Sequence, residues 1–142
     1  MRFLSLVIHL LSATVWIGGL VFQAGVLIPG LRGSVAGAYQ LARLSRRFHL
    51  LSGLALVILI ATGVVALAAG GLPPLRRLME KLFLVFLLVL GTGFQGHVAL
   101  PRLARATPSD LAPAERRFAV STTINAVLGL LVLLAALRLG RG

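Results

Sequence analysis

FQAGVLIPGL, residues 22–31, is followed 72 residues later by FQGHVALPRL, residues 94–103. Phenylalanine, glutamine, valine, proline and leucine recur at the same spacing, and each copy ends a long apolar run. The similarity continues downstream, where LARLSRRF at 41–48 is matched by LAPAERRF at 111–118. We therefore interpret the chain as two tandem copies of one two-helix unit.

The composition is typical of a membrane protein. Of the 142 residues, 58% are hydrophobic and 12% are charged, and the mean hydropathy is +1.02. These values are too apolar for a soluble domain of this size. The 14 basic residues interrupt apolar runs and form no basic face with interleaved aromatics, so nucleic acid is not an expected partner. The chain has no cysteine, which excludes disulfides and thiolate metal sites.

Four apolar runs are long enough to cross a bilayer as helices. We predict helices at about 3–28, 48–70, 77–100 and 118–138, with prolines ending the first and third. The first run lacks a small-residue cleavage site, so we expect a retained helix rather than a signal peptide. The predicted fold is all-α: an integral membrane four-helix bundle made of two tandem hairpins. The chain is then a single transmembrane domain, with parallel repeat units at about 1–71 and 73–142.

The segments that lead into the second and fourth helices are basic and amphipathic. Leu41, Leu44 and Phe48 recur at helical spacing between arginines, which predicts a helix on the membrane surface. Ser109 or Asp110 can cap the equivalent segment of the second unit.

Four crossings place both longer connections on one side of the membrane, called side Y here, and both chain ends on the other, side X. Side Y carries eight arginines, which are Arg32, Arg43, Arg46, Arg47, Arg102, Arg105, Arg116 and Arg117. Side X carries six basic residues, which are Arg2, Arg76, Arg77, Lys81, Arg138 and Arg141. The difference favours a cytoplasmic side Y.

Polar and small residues of the first helix form one stripe. They are spaced by three or four residues and comprise Ser5, His9, Ser12, Trp16, Gly19 and Gln23. Because polar groups facing lipid are costly, the stripe should face protein. The duplication places Lys81 at the depth of His9 near side X, and Gln95 at the depth of Gln23 near side Y.

Two sites could hold a metal centre. Near side X, His9 and Lys81 could ligate a haem iron, or Lys81 could pair with a propionate and anchor the porphyrin. Trp16 could pack on the porphyrin. Near side Y, His49 and His97 could bind a haem b as two imidazoles or bind a copper ion. The candidate metal ligands are therefore the three histidines. Each residue also has a structural interpretation. His9 could form a hydrogen bond between helices, and Lys81 could extend to the lipid headgroups. His49 could lie at the membrane interface, and Trp16 could pack between helices.

The sequence resembles a known family. HLLSATVWIGG at 9–19, the proline that ends the first helix, the RRF entry to the second and MEKLFLVFLLVLG at 79–91 resemble the copper-resistance protein D (CopD) domain. The same elements are similar to HemJ-type protoporphyrinogen oxidases. In HemJ-like proteins a histidine on the first helix and a lysine opening the third form the functional pair associated with haem b, and His9 and Lys81 match those positions. The resemblance to CopD proteins implies copper handling at a bacterial-type inner membrane.

Three functions remain open at this stage. The first is a CopD-like multi-pass inner-membrane protein that binds haem b or copper and serves metal handling or membrane redox. The second is a cofactor-free accessory subunit of a larger membrane complex, and the third is a HemJ-like protoporphyrinogen oxidase. The lipid bilayer is the partner in every case, and a homodimer or a larger membrane complex is the protein partner to test.

Overall fold

The computed structural model describes residues 2–70 and 75–139, and it confirms the predicted all-α four-helix bundle. Helix α1 comprises Arg2–Phe22, Gln23–Leu27 and Ile28–Leu31, and helix α2 is Val35–Gly70. Helix α3 comprises Leu75–Phe94, Gln95–Ala99 and Leu100–Ala104, and helix α4 is Leu111–Leu139. Residue 1, residues 71–74 at the boundary of the two predicted repeat units, and residues 140–142, which include Arg141, lie outside the described residues.

Four helical stretches are long and apolar enough to span a membrane. They are Phe3–Leu31, Val35–Val65, Leu78–Ala104 and Leu111–Ala136, with mean hydropathies between 1.8 and 2.3. Their outward faces carry large exposed apolar side chains, as expected for helices surrounded by lipid. The fold is that of a multi-pass membrane protein.

Both copies of the quoted motif contain a π-helical turn that starts at the glutamine, at Gln23 in α1 and at Gln95 in α3. The N–H of Ile28 donates to the Gln23 carbonyl oxygen, and that of Leu100 donates to the Gln95 carbonyl oxygen. A proline lacks the N–H and its ring collides with the carbonyl four residues earlier, so a wider preceding turn lets the helix continue.

The two prolines therefore do not end their helices as predicted. Helix α1 continues past Pro29 and ends at Leu31. The same holds for Pro101, beyond which α3 continues to Ala104.

The amphipathic segments also differ from the prediction. They are the first turns of α2 and α4, which begin at Val35 and Leu111 rather than at about 48 and 118. No proline interrupts the sequence from 35 to 48, so α2 runs through this segment, in which Leu41 packs on protein and Leu44 is exposed. Leu41 is fully buried in a cluster at side Y that includes Leu103 and Phe118.

The four helices form a ring. Helix α1 packs on α2 and α3 packs on α4, while α4 also contacts α1 and α2 contacts the end of α3. Close approach within each hairpin depends on a glycine: an added Cβ at Gly19 would overlap the Phe48 ring, and one at Gly91 would overlap the Asn125 amide. Both hairpins thus use a glycine at the same repeat position to bring their helices together.

A hydrogen bond joins the two longer connections at side Y. Gly33, which has a φ of 95°, turns the chain between α1 and α2. Its backbone N–H donates to Glu115 Oε1 of α4 over 2.8 Å. The carboxylate thereby holds the turn of the first hairpin against the entry of the second.

Candidate functional site

His9 is held against helix α2 by a specific contact. Its Nδ1 lies 2.7 Å from Thr62 Oγ1, and the same hydroxyl lies 2.7 Å from the Ile58 carbonyl oxygen. A threonine hydroxyl has one proton, and the carbonyl can only accept it. The hydroxyl therefore donates to Ile58 and accepts from His9 Nδ1–H. This tautomer leaves His9 Nε2 with a free lone pair.

The neighbours of the His9 ring include a glycine and a charged residue. Gly63 lies beside the ring, where an added Cβ would come within 3.9 Å of His9 Cε1. Lys81 of α3 is half-buried and within electrostatic range of the ring. The two residues that the sequence predicted for side X therefore lie at the same end of the bundle.

Lys81 has no carboxylate partner in the part of the chain that the structure describes. The neighbouring Glu80 pairs with Arg76, with 3.2 Å between Oε1 and Nε. The chain's other two carboxylates, Asp110 and Glu115, lie at side Y. A half-buried ammonium group without a counter-ion is available to an anionic group that reaches this end of the bundle.

His49 and His97 form a second pair, at side Y. The ring of His49 lies directly on the backbone of Gly96: a Cβ added at that glycine would overlap the imidazole. His97 is the next residue along α3; its side chain is exposed and within electrostatic range of His49. The structure thus places these two histidines together and separates them from His9.

Trp16 lies inside the bundle, between the levels of the two histidine sites. Its side chain is 3% exposed and packs in a core cluster with Leu20, Ala55 and Leu88. It also lines a small internal cavity together with His49. These contacts place Trp16 in the helix interface, which is the structural alternative raised by the sequence.

The polar residues at the level of Gln23 and Gln95 form a buried network. Gln95 Nε2 donates to Thr122 Oγ1 over 2.9 Å and reaches Gln23 Oε1 at 3.4 Å. Asn125 Nδ2 donates to Gln95 Oε1 over 2.8 Å. The two glutamines therefore meet at one depth, as the duplication predicts, and join α1, α3 and α4.

Sequence reasoning missed two of the residues that make these contacts. Thr62 and Thr122 sit inside apolar helices, where a threonine is ordinary and its hydroxyl commonly bonds to its own backbone. A signal was present for Thr122, which lies three residues before Asn125 and therefore on the same face of its helix. Thr62 has only a neighbouring glycine, Gly63, to mark its position as a place of close helix approach.

No protein-family model matches the chain, and searches of curated proteins and of solved structures found no significant match. The chemistry of the site therefore rests on the residues themselves. Across residues 2–70 and 75–139, no group of three or more His, Cys, Asp or Glu side chains is placed to hold a metal ion. Each pair supplies at most two side-chain donors, which is fewer than a metal ion held by protein alone usually has.

Proposed function

We propose that this chain is a CopD-like multi-pass protein of a bacterial-type inner membrane that binds a metal centre near side X through His9 Nε2. The observation that carries the proposal is the distance of 2.7 Å between His9 Nδ1 and Thr62 Oγ1. Histidines that ligate metals commonly donate the other ring N–H to an oxygen, which fixes the tautomer and the ring orientation. Thr62 supplies that oxygen from the neighbouring helix.

Haem b fits the donors better than a copper ion does. A copper site held by protein alone needs more donors than His9 and Lys81 provide, whereas a haem iron already has its porphyrin nitrogens. The Lys81 ammonium, which has no carboxylate partner among the described residues, suits a propionate. When bound, haem b would supply one-electron chemistry, and the chain would serve metal handling or membrane redox.

The protein's own contribution is positioning. Thr62 holds the His9 ring with Nε2 unprotonated, since its single proton is used on a backbone carbonyl. Gly63 leaves room beside the ring, and Lys81 places a positive charge near it. These three residues come from α2 and α3, so the site depends on the packing of both hairpins.

A haem titration of detergent-purified protein tests the proposal. Thr62→Val keeps the shape of the side chain but removes the acceptor for Nδ1–H, and we expect haem affinity to fall about 10- to 100-fold. His9→Ala should abolish the saturable Soret change, while His97→Ala, the matched control at side Y, should leave it unchanged. Equal titrations for the wild type and His9→Ala would exclude this site.

The HemJ-like activity is a narrower form of the same proposal, because it uses the same His9 and Lys81 pair. A protoporphyrinogen oxidase would restore haem synthesis in a bacterium that lacks its own enzyme. Restoration by the wild type but not by Lys81→Met would assign the enzyme. Haem binding without restoration would leave the protein in metal handling or electron transfer.

A cofactor-free accessory subunit is the second candidate. The His9–Thr62 bond favours it as well, because a half-buried imidazole bonded to the neighbouring helix needs no further partner. This hypothesis expects a colourless, metal-free protein that copurifies with a stoichiometric membrane partner. It also expects Thr62→Val to weaken the bundle without changing any absorption band.

Orientation can be tested directly because the chain has no cysteine. Ser34 lies between α1 and α2, and Thr107 lies between α3 and α4; both are exposed. We expect single cysteines at these two positions to react with an impermeant maleimide from the cytoplasmic side only. Labelling from opposite sides would contradict the parallel arrangement, and labelling of both from outside would reverse the orientation.

A further inference from the structure

A small cavity lies inside the bundle at the level of the glutamines, among α1, α2 and α3. Its volume is about 10 Å³, which is at the lower limit for holding one water molecule. Four of its lining side chains present a polar atom without a hydrogen-bond partner among the described residues. These atoms are Trp16 Nε1, Ser45 Oγ, Ser52 Oγ and Thr92 Oγ1.

These four residues are deeply buried, each between 2% and 8% exposed. Within the described residues, a fifth buried side-chain atom, Asn125 Oδ1, also lacks a partner, but it does not line this cavity. A buried donor or acceptor without a partner is strongly unfavourable, especially in lipid. Four such groups around one cavity therefore indicate a site for a hydrogen-bonding molecule.

The internal repeat explains why the cavity exists on this side of the bundle. Gln95 is bonded by Thr122 and Asn125 of α4. Seventy residues earlier, the corresponding positions of α2 are Ser52 and Ala55. These smaller side chains cannot reach Gln23 as their counterparts reach Gln95. Gln95 is therefore bonded to its neighbouring helix, whereas Gln23 borders a cavity.

We propose that this cavity is a hydration site, in which one water molecule bonds Trp16, Ser52 and Thr92 and joins α1, α2 and α3. A cation would be opposed by the Trp16 N–H, which can only donate, and no carboxylate lines the cavity. An anion would have one side chain, His49, that could carry a positive charge among the lining residues. Water both donates and accepts, and buried waters typically make about three hydrogen bonds. The proposal is independent of any metal centre at His9.

The direction in which the Tm changes when a cavity hydroxyl is removed tests the site. Thr92→Val keeps the shape of the side chain and removes the hydroxyl. If the hydroxyl bonds a water, its loss should lower the Tm of the purified protein; if the hydroxyl is unsatisfied in a dry cavity, its removal should raise the Tm. Thr123→Val, an exposed position of α4, is the control and should not lower the Tm.

Trp16 provides a second measurement because it is the only tryptophan in the chain. Ser52→Val adds a methyl group to the cavity and should displace the water, so the Trp16 emission should move to shorter wavelength than in the wild type. A Tm that rises in Thr92→Val, or an emission that Ser52→Val leaves unchanged, would overturn the proposal. Thr92→Val is isosteric and keeps the test available if Ser52→Val does not fold.

Discussion

The two hairpins share a scaffold but differ in what their polar residues do. In the first, His9 bonds Thr62 across the hairpin; the second has Lys81 and Val132 at the corresponding positions, which cannot form that bond. Near side Y the difference is reversed, since Gln95 bonds to Thr122 and Asn125 of its own hairpin, whereas the hydrogen bond described for Gln23 is the one from Gln95. The comparison indicates that the hydrogen bonds between the helices of a hairpin lie near side X in the first hairpin and near side Y in the second.

The largest expected effect is at the two glutamines. Gln95→Leu removes hydrogen bonds to three residues and leaves the Asn125 amide without its acceptor, so we expect a loss of about 3 kcal/mol in the free energy of unfolding. Gln23→Leu removes one long bond and should cost about 1 kcal/mol. Reversible unfolding in mixed micelles measures both. Equal losses would contradict the division of roles between the hairpins.

The four-helix fold was predictable because lipid imposes a simple rule: four long apolar runs must each form a helix. The helix ends were not predictable. Pro29 and Pro101 are ordinary stop signals, and only the observed π turns show how the backbone passes them. The first turns of α2 were predicted as a helix on the membrane surface. An apolar helix face has the same periodicity whether it packs on protein or on lipid.

The candidate site was predictable in part. Duplication and resemblance both led to His9 and Lys81, because unusual residues at matching depths stand out in an apolar chain. Thr62 could not be predicted, since its importance depends on how α1 and α2 are rotated against each other. The cavity was equally hidden, because it depends on how Ser52, which corresponds to Thr122 of the second hairpin, packs against α1 and α3.

A smaller effect is expected at the paired glycines. Gly91→Ala must displace the Asn125 amide from the buried network, and Gly19→Ala must displace the half-buried Phe48 ring, so both should destabilise the bundle by about 1–3 kcal/mol. We expect Gly91→Ala to cost more, because it also disturbs hydrogen bonds. Gly25→Ala is the control, since nothing lies within 4 Å of the added Cβ. A larger loss for Gly25→Ala than for the other two, measured by the same unfolding assay, would show that these contacts are misassigned.

The smallest effect is expected at the link between the connections. Glu115→Ala removes the acceptor for Gly33 N–H at an exposed site, which should cost about 0.5–1 kcal/mol. Glu115→Gln keeps an oxygen acceptor at the same position and should recover most of that loss. If both variants are as stable as the wild type, the carboxylate does not hold the two hairpins together.

The absorption spectrum of protein purified from haem-producing cells, oxidised and then reduced with dithionite, tests the central claim most directly. The wild type and His97→Ala should show a Soret band with reduced α and β bands, and His9→Ala should lack them. Wild-type protein without these bands, or bands that persist in His9→Ala and disappear in His97→Ala, would contradict a haem centre held by the first hairpin.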